Sequence, residues 1–201
     1  MKFIVITSPE FIPGEAFFIR RLFDCGLDIL HLRKPGSSVT GCAQLLDALP
    51  AEVRRRIVTH DHFSLCGDYG LFGVHLNCRN PAVPSGLCPA SVSASCHSVA
   101  EVRQRKTGCD YVFMSPVFDS ISKRGYSAAY SDEALCRASS DGTIDSRVMA
   151  LGGVSLGNIG ALRRWGFGGA AFLGDVWRLS ADEAAFTRHA CELRCSLDEN
   201  I

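Results

Sequence analysis

The chain has 201 residues, 47% hydrophobic and 21% charged, a balance that excludes a disordered or low-complexity protein. Its 21 basic and 21 acidic side chains cancel, so neither a broad nucleic-acid-binding face nor an acidic tail is expected. No apolar run approaches the roughly 18 residues of a membrane span, and the start of the chain has only four consecutive apolar residues, 3–6, so the expectation is a cytoplasmic protein without a membrane partner.

Short apolar runs recur along the chain. Segments 3–6, 28–32, 56–60, 71–76, 91–95, 111–114, 147–151 and 169–173 read as strands, several so continuously apolar that both faces must be covered. Between them come helical patterns: a stripe of Phe18, Ile19, Leu22 and Phe23 stopped by Gly26, and a capping box from Ser98 to Glu101. A further helix is capped by Ser155 and ended by Gly166, and a second capping box from Ser180 to Glu183 opens the last helix. Residues 80–90 hold three prolines and read as loop where a helix would otherwise stand.

Eight strands alternating with helices predict a parallel sheet. At about 25 residues per unit the pattern is that of a trimmed (β/α)8 barrel, with the helix after strand four short or missing and residues 1–201 forming one domain. A doubly wound open sheet is the alternative, weakened because no Gly-x-Gly-x-x-Gly follows the first strand. Ten cysteines contain no Cys-x-x-Cys spacing, so most are expected as free thiols, many of them buried.

In a barrel the active site lies where strands run into the following loops. Those positions carry Arg33 and Lys34, then His60, Asp61 and His62, then His75 with Asn77, Cys78, Arg79 and Asn80. Next come Ser95 and His97, the run from Ser115 to Arg124, Gly152 with Gly153, and Gly174 with Asp175. Glycines at the ends of strands seven and eight fit a phosphate site, because they let backbone N–H groups approach an anion. Arg33, Lys34, Lys123 and Arg124 beside Ser95, Ser120 and Ser122 would suit a second, more highly charged anion such as pyrophosphate. Asp61 could hold Mg²⁺ through its carboxylate together with phosphate oxygens. His60 and His62 also match the His-x-His pair of barrel metallohydrolases, a competing reading in which both imidazoles share one strand face.

Taken together, these motifs resemble the family of thiamine phosphate synthase and the related thiazole tautomerase. The resemblance runs from Phe3 to about Trp177. It is carried by His31-Leu-Arg-Lys34, Val58-Thr-His-Asp61, Gly73-Val-His-Leu76, Ser95-Cys-His97 with Glu101, the stretch 110–118, and Ser120-Ile-Ser-Lys123. Ala150-Leu-Gly-Gly-Val154 with Asn158, and the stretch 168–174, complete it. The resemblance implies a (β/α)8 barrel and a Mg²⁺-assisted transferase of thiamine biosynthesis. Its small-molecule substrates would be a hydroxymethylpyrimidine diphosphate and a thiazole phosphate, joined with release of pyrophosphate. It assigns Arg33, Ser95, Ser120, Ser122 and Lys123 to pyrophosphate, with Lys34 adjacent. It assigns His31 and His60 to the pyrimidine, the positions of Asp61 and Asn80 to the metal, and Gly153 with the loop at Gly174 to the thiazole phosphate, beside Gly152. Family analogy adds a homo-oligomer.

The chain departs from the synthase pattern at four positions. His31 stands for Gln, His60 for Asn, Asn80 for a second metal-binding carboxylate, and Pro35 for a lysine. His31 leans toward the tautomerase, in which a histidine at the position of His97 shuttles a proton; Ser120, Ser122 and Lys123 lean toward the synthase. A non-catalytic phosphate-binding relative is a third reading.

Overall fold

The computed structural model describes residues 1–119 and 129–199. In chain order, β1 (Lys2–Ile6) is followed by α1 (Glu15–Asp24), and β2 (Ile29–Leu32) by α2 (Val39–Asp47) and the one-turn α3 (Ala51–Arg54). β3 (Ile57–Thr59) is followed by α4 (Ser64–Asp68), and β4 (Gly73–Leu76) runs to β5 (Ser91–Cys96) without a helix between them. Then come α5 (Val99–Arg105), β6 (Tyr111–Met114), α6 (Asp132–Ser140), β7 (Val148–Ala150) and a 3-10 turn at Leu156–Asn158. α7 (Ile159–Arg164), β8 (Gly169–Phe172), α8 (Gly174–Trp177) and α9 (Glu183–Asp198) complete the order. Every strand pairs in parallel with its neighbour in sequence, and β8 closes on β1, so the sheet is a (β/α)8 barrel and not an open doubly wound sheet. Among the described residues no helix is long and apolar enough to cross a membrane.

Strand alternation sorts the side chains into two cores. On β1, Phe3 and Val5 face outward into the layer between strands and helices, while Ile4 and Ile6 face inward with Ile29, Val58, Tyr111, Phe113, Met149 and Ala171. Gly73 lets β4 lie against β5, because a Cβ there would stand 2.1 Å from the Ser91 carbonyl oxygen. Ser38, Ser98 and Ser131 cap α2, α5 and α6 by accepting N–H bonds from Gly41, Glu101 and Ala134. The last helix departs from the sequence reading: its cap is Asp182, which accepts from the Ala185 N–H, and Ser180 lies in the preceding turn. One pair of the ten cysteines is bridged, Cys25 beside the end of α1 being disulfide-bonded to Cys191 on α9. The other eight cysteines are free.

Lys34 does not act as a cation of the active-site face. Its ammonium is buried and bonds both carboxylate oxygens of Glu15, at 2.6 and 2.7 Å, and the carbonyls of Ser8 and Glu10. The side chain therefore pins the loop after β1 onto α1. Burial pulls the Lys34 pKa down and pushes the Glu15 pKa up, with the pairing opposing both shifts.

The upper barrel interior is polar. His31 from β2, His60 just beyond β3 and His75 from β4 are 0%, 5% and 0% exposed. His31 Nδ1 lies 2.9 Å from His60 Nε2, and His31 Nε2 lies 2.7 Å from the Tyr111 hydroxyl. His75 bridges Ser93 and Ser95 at 2.9 and 2.8 Å, and its ring stacks on His60 with centroids 4.1 Å apart. Burial holds all three imidazoles neutral, with His31 and His60 well below the ordinary 6.5 and His75 at about 3.

Two outcomes follow. Because the native imidazoles resist protonation, the unfolded chain takes up protons first as pH falls. Their contribution is complete above 6.5 and is lost as pH drops from 6.5 toward the folded values, about 3 for His75. Urea unfolding should therefore show stability falling through this window by up to about 1.4 kcal/mol per pH unit for each histidine, and a flat profile would contradict the buried neutral state. Separately, Lys34→Ala strands a buried carboxylate and should cost about 3–5 kcal/mol in the same assay, with much of the loss recovered in Lys34→Met combined with Glu15→Met. A single-variant loss below about 1 kcal/mol would refute the buried pair.

Candidate active site

A cavity of about 500 Å³ opens at the end of the barrel where the strands lead into their following loops. Arg33, His60, Ser95, His97, Gly152, Gly153 and Gly174, all singled out in the sequence, line it together. His31 does not line it: both of its ring nitrogens are engaged beneath the floor, so it supports His60 rather than meeting a ligand. Ser120, Ser122 and Lys123 lie outside the described residues.

The loop after β7 turns through two consecutive left-handed residues, Gly152 at φ 90° and Gly153 at φ 65°. A side chain is excluded at both. A Cβ on Gly152 would stand 2.8 Å from Pro116, and one on Gly153 would stand 2.2 Å from the Asp119 carbonyl oxygen. Asn158 holds the turn by donating to the Gly153 carbonyl and accepting from the Ser155 N–H. The Gly152 and Gly153 N–H groups have no protein acceptor among the described residues. This turn is the arrangement expected of a backbone anion cradle. Gly174 contributes the loop after β8 to the same wall.

His97 stands at the rim. Its backbone N–H donates to Glu101 at 2.7 Å, so Glu101 reaches one residue beyond the position a capping box predicts. Its Nδ1 lies 3.1 Å from the Ser115 carbonyl oxygen, which only accepts, so Nδ1 carries the proton. When the ring is neutral its lone pair is therefore on Nε2, the nitrogen able to exchange a proton with a ligand.

Asp61 and Asn80 come together, although not as an open cation site. Arg79 bonds Asp61 through Nε and Nη2, with contacts of 3.1–3.2 Å to its two oxygens. Asn80 donates its amide nitrogen both to the His60 carbonyl at 3.1 Å and to Asp61 Oδ1 at 3.0 Å. Two acceptors on that nitrogen fix the amide's orientation, so Asn80 offers the carboxylate a donor rather than an oxygen ligand. The residues do not fit Mg²⁺ as arranged, since a guanidinium already neutralises the one carboxylate. Nor do His60 and His62 form a metal pair. β3 ends at Thr59, the backbone turns left-handed at His62 (φ 53°), and His62 Nε2 donates to the Ser37 carbonyl at 2.9 Å. His31, His60 and His75 each bring a nitrogen within 4.8 Å of the others, close enough to share an ion. However, Arg33, Arg79 and Arg105 all act on these imidazoles to disfavour positive charge there.

The lining residues without a role from the sequence include Asn77, Arg79 and Arg105. Asn77 organises the loop after β4, donating to the His60 and His75 carbonyls and accepting from the N–H groups of Arg79 and Asn80. Asn77 and Arg79 stood in a strand-end run and were legible as candidates. Arg105 ends α5 and reaches the cavity only through the length of its side chain, which no local pattern announces.

A family model described as thiamine monophosphate synthase matches residues 3–176. A thiamine-phosphate synthase of Limosilactobacillus fermentum is 27% identical over 187 residues, covering 84% of this chain and 83% of the relative. A crystal structure of thiamine phosphate pyrophosphorylase from Bacteroides thetaiotaomicron superposes with a TM-score of 0.89 at 43% identity, covering 100% of both chains. A thiamine phosphate pyrophosphorylase from Pyrococcus furiosus shares the fold with a TM-score of 0.78 at 20% identity, covering 98% of this chain and 95% of that one. The match over 3–176, together with a closed barrel whose strand ends gather the family's motif residues, establishes that the chain belongs to the thiamine monophosphate synthase family.

Proposed function

We propose that this chain is a transferase of thiamine biosynthesis that joins hydroxymethylpyrimidine diphosphate to thiazole phosphate and releases pyrophosphate. The observation that carries this reading is one cavity holding two kinds of anion-binding wall, the glycine turn at Gly152–Gly153 and a set of guanidinium groups that includes Arg33. The bond from the pyrimidine methylene carbon to the diphosphate oxygen breaks, with its electron pair leaving on the diphosphate. The thiazole nitrogen lone pair then forms the new bond to that carbon. The enzyme's task is to neutralise the departing charge and hold the two rings in line.

In this reading the glycine turn and the loop at Gly174 take the thiazole phosphate, and the pyrimidine ring lies over His60. Arg33 and Ser95 meet the diphosphate, with Ser120, Ser122 and Lys123 assigned there from the sequence alone. The family's enzymes are metal-dependent as a class, and Mg²⁺ is the ion its pattern implies. The pairing of Asp61 with Arg79 and Asn80 does not fit that ion. The small charged substrates suit a cytoplasmic enzyme.

His97 favours a second reading, the thiazole tautomerase, because its Nδ1 is held by the Ser115 carbonyl and leaves Nε2 as the nitrogen that would shuttle a ring proton. Incubation with both synthase substrates, following pyrophosphate release, separates the two. A synthase forms thiamine phosphate and pyrophosphate in equal amounts, whereas isomerised thiazole with no coupled product overturns the proposal in favour of the tautomerase. Arg33→Ala should lower the coupling kcat/KM by roughly 10²–10³-fold, and an effect below about threefold would remove Arg33 from the leaving-group site. Gly153→Ala forces a Cβ into the Asp119 carbonyl and should weaken thiazole phosphate binding by at least about 10-fold in calorimetry; unchanged affinity would refute the glycine cradle.

A further inference from the structure

The cavity wall that carries the cations has an unusual balance of partners. Among the described residues its lining holds three guanidinium groups, from Arg33, Arg79 and Arg105, and two carboxylates, from Glu101 and Asp175. Both carboxylates are engaged elsewhere. Glu101 accepts from the His97 N–H, and buried Asp175 is bonded by Arg178 at 3.2 Å and His189 at 2.7 Å. The guanidinium groups of Arg33 and Arg105 have no hydrogen bond or ion pair among the described residues. Arg79 uses Nε and Nη2 on Asp61 and leaves Nη1 without a partner among the described residues. The three charges converge on one region: Arg33 and Arg79 both act on His60, and Arg33 and Arg105 both act on His75, whose ring stacks on His60.

We propose that in this chain Asp61 anchors Arg79 instead of a divalent cation, and that Arg79, Arg33 and Arg105 together bind the diphosphate end of the substrate directly. The assignment rests on the synthase reading. Asp61 and the Asn77 turn fix the loop after β4, so Arg79 is presented in a set direction. A guanidinium held from one side still offers planar N–H donors on the other, the geometry that matches adjacent phosphate oxygens. Three positive groups, one of them held by Asp61, supply the charge neutralisation that a metal ion would otherwise bring to a leaving diphosphate.

Titration calorimetry with inorganic diphosphate tests this, with chelator present and then with Mg²⁺, alongside thiazole phosphate as a control ligand. The intact protein should bind diphosphate in chelator, and Mg²⁺ should change the Kd by less than about threefold. Arg79→Gln and Arg105→Gln should each weaken diphosphate binding by about 10- to 100-fold, with thiazole phosphate affinity unchanged, and Arg79→Lys should recover part of the loss. Equal weakening of both ligands would mark a collapsed loop and overturn the direct contact. Diphosphate binding only with Mg²⁺ overturns this assignment and leaves the synthase reading standing. No diphosphate binding under either condition overturns both. Metal-free binding in a protein that never couples the two rings upholds the arginine site and removes the synthase reading.

Discussion

Much of the architecture follows from placing three imidazoles inside a closed barrel while keeping them uncharged. Among the described residues, His31, His60 and His75 have no carboxylate in hydrogen-bond contact; their ring nitrogens meet one another, Tyr111, Ser93 and Ser95. A proton added there would be unsolvated and would face Arg33, Arg79 and Arg105. Burial and the arginines therefore act in the same direction. The cavity floor stays neutral and partly aromatic while its wall carries the positive charge. A planar, uncharged heterocycle suits such a floor, and phosphate groups suit such a wall.

Barrel topology separates the two proposed anion sites. Arg33 follows β2, Arg79 follows β4 and Arg105 extends from the helix after β5, whereas Gly152, Gly153 and Gly174 follow β7 and β8. In a closed ring of strands these groups occupy different arcs of one mouth. Two substrates, each tethered by its own phosphate end, would meet between them over His60. The tethers differ in kind. Backbone N–H groups at a left-handed turn suit a compact monophosphate, and side-chain guanidinium groups suit a longer diphosphate.

The strands were legible in the sequence because a strand covered on both faces must be short and apolar throughout; the run 111–114 matches β6 in full, and 3–6 falls one residue short of β1. The missing helix between β4 and β5 was legible from its prolines. Strand ends likewise announced Arg33, His60, Ser95 and the paired glycines. What the sequence hid was partnership. Lys34 sits beside Arg33 in the chain, yet their side chains diverge, one into a buried pair with Glu15 and one to the cavity. Asp61 has the chemistry of a metal ligand, and no local pattern announces that Arg79, 18 positions away, bonds it. The last helix start was misplaced by two residues because Ser180 and Asp182 are both good caps, and only the path of the chain decides between them.

A crystal structure of the protein with thiamine phosphate and diphosphate bound together tests whether one mouth holds two anion sites of different kinds. The product's phosphate should lie against the Gly152–Gly153 turn, its pyrimidine ring over His60, and the diphosphate among Arg33, Arg79 and Arg105. Both anions on the same arc of the barrel, or product bound outside the cavity, would contradict that arrangement.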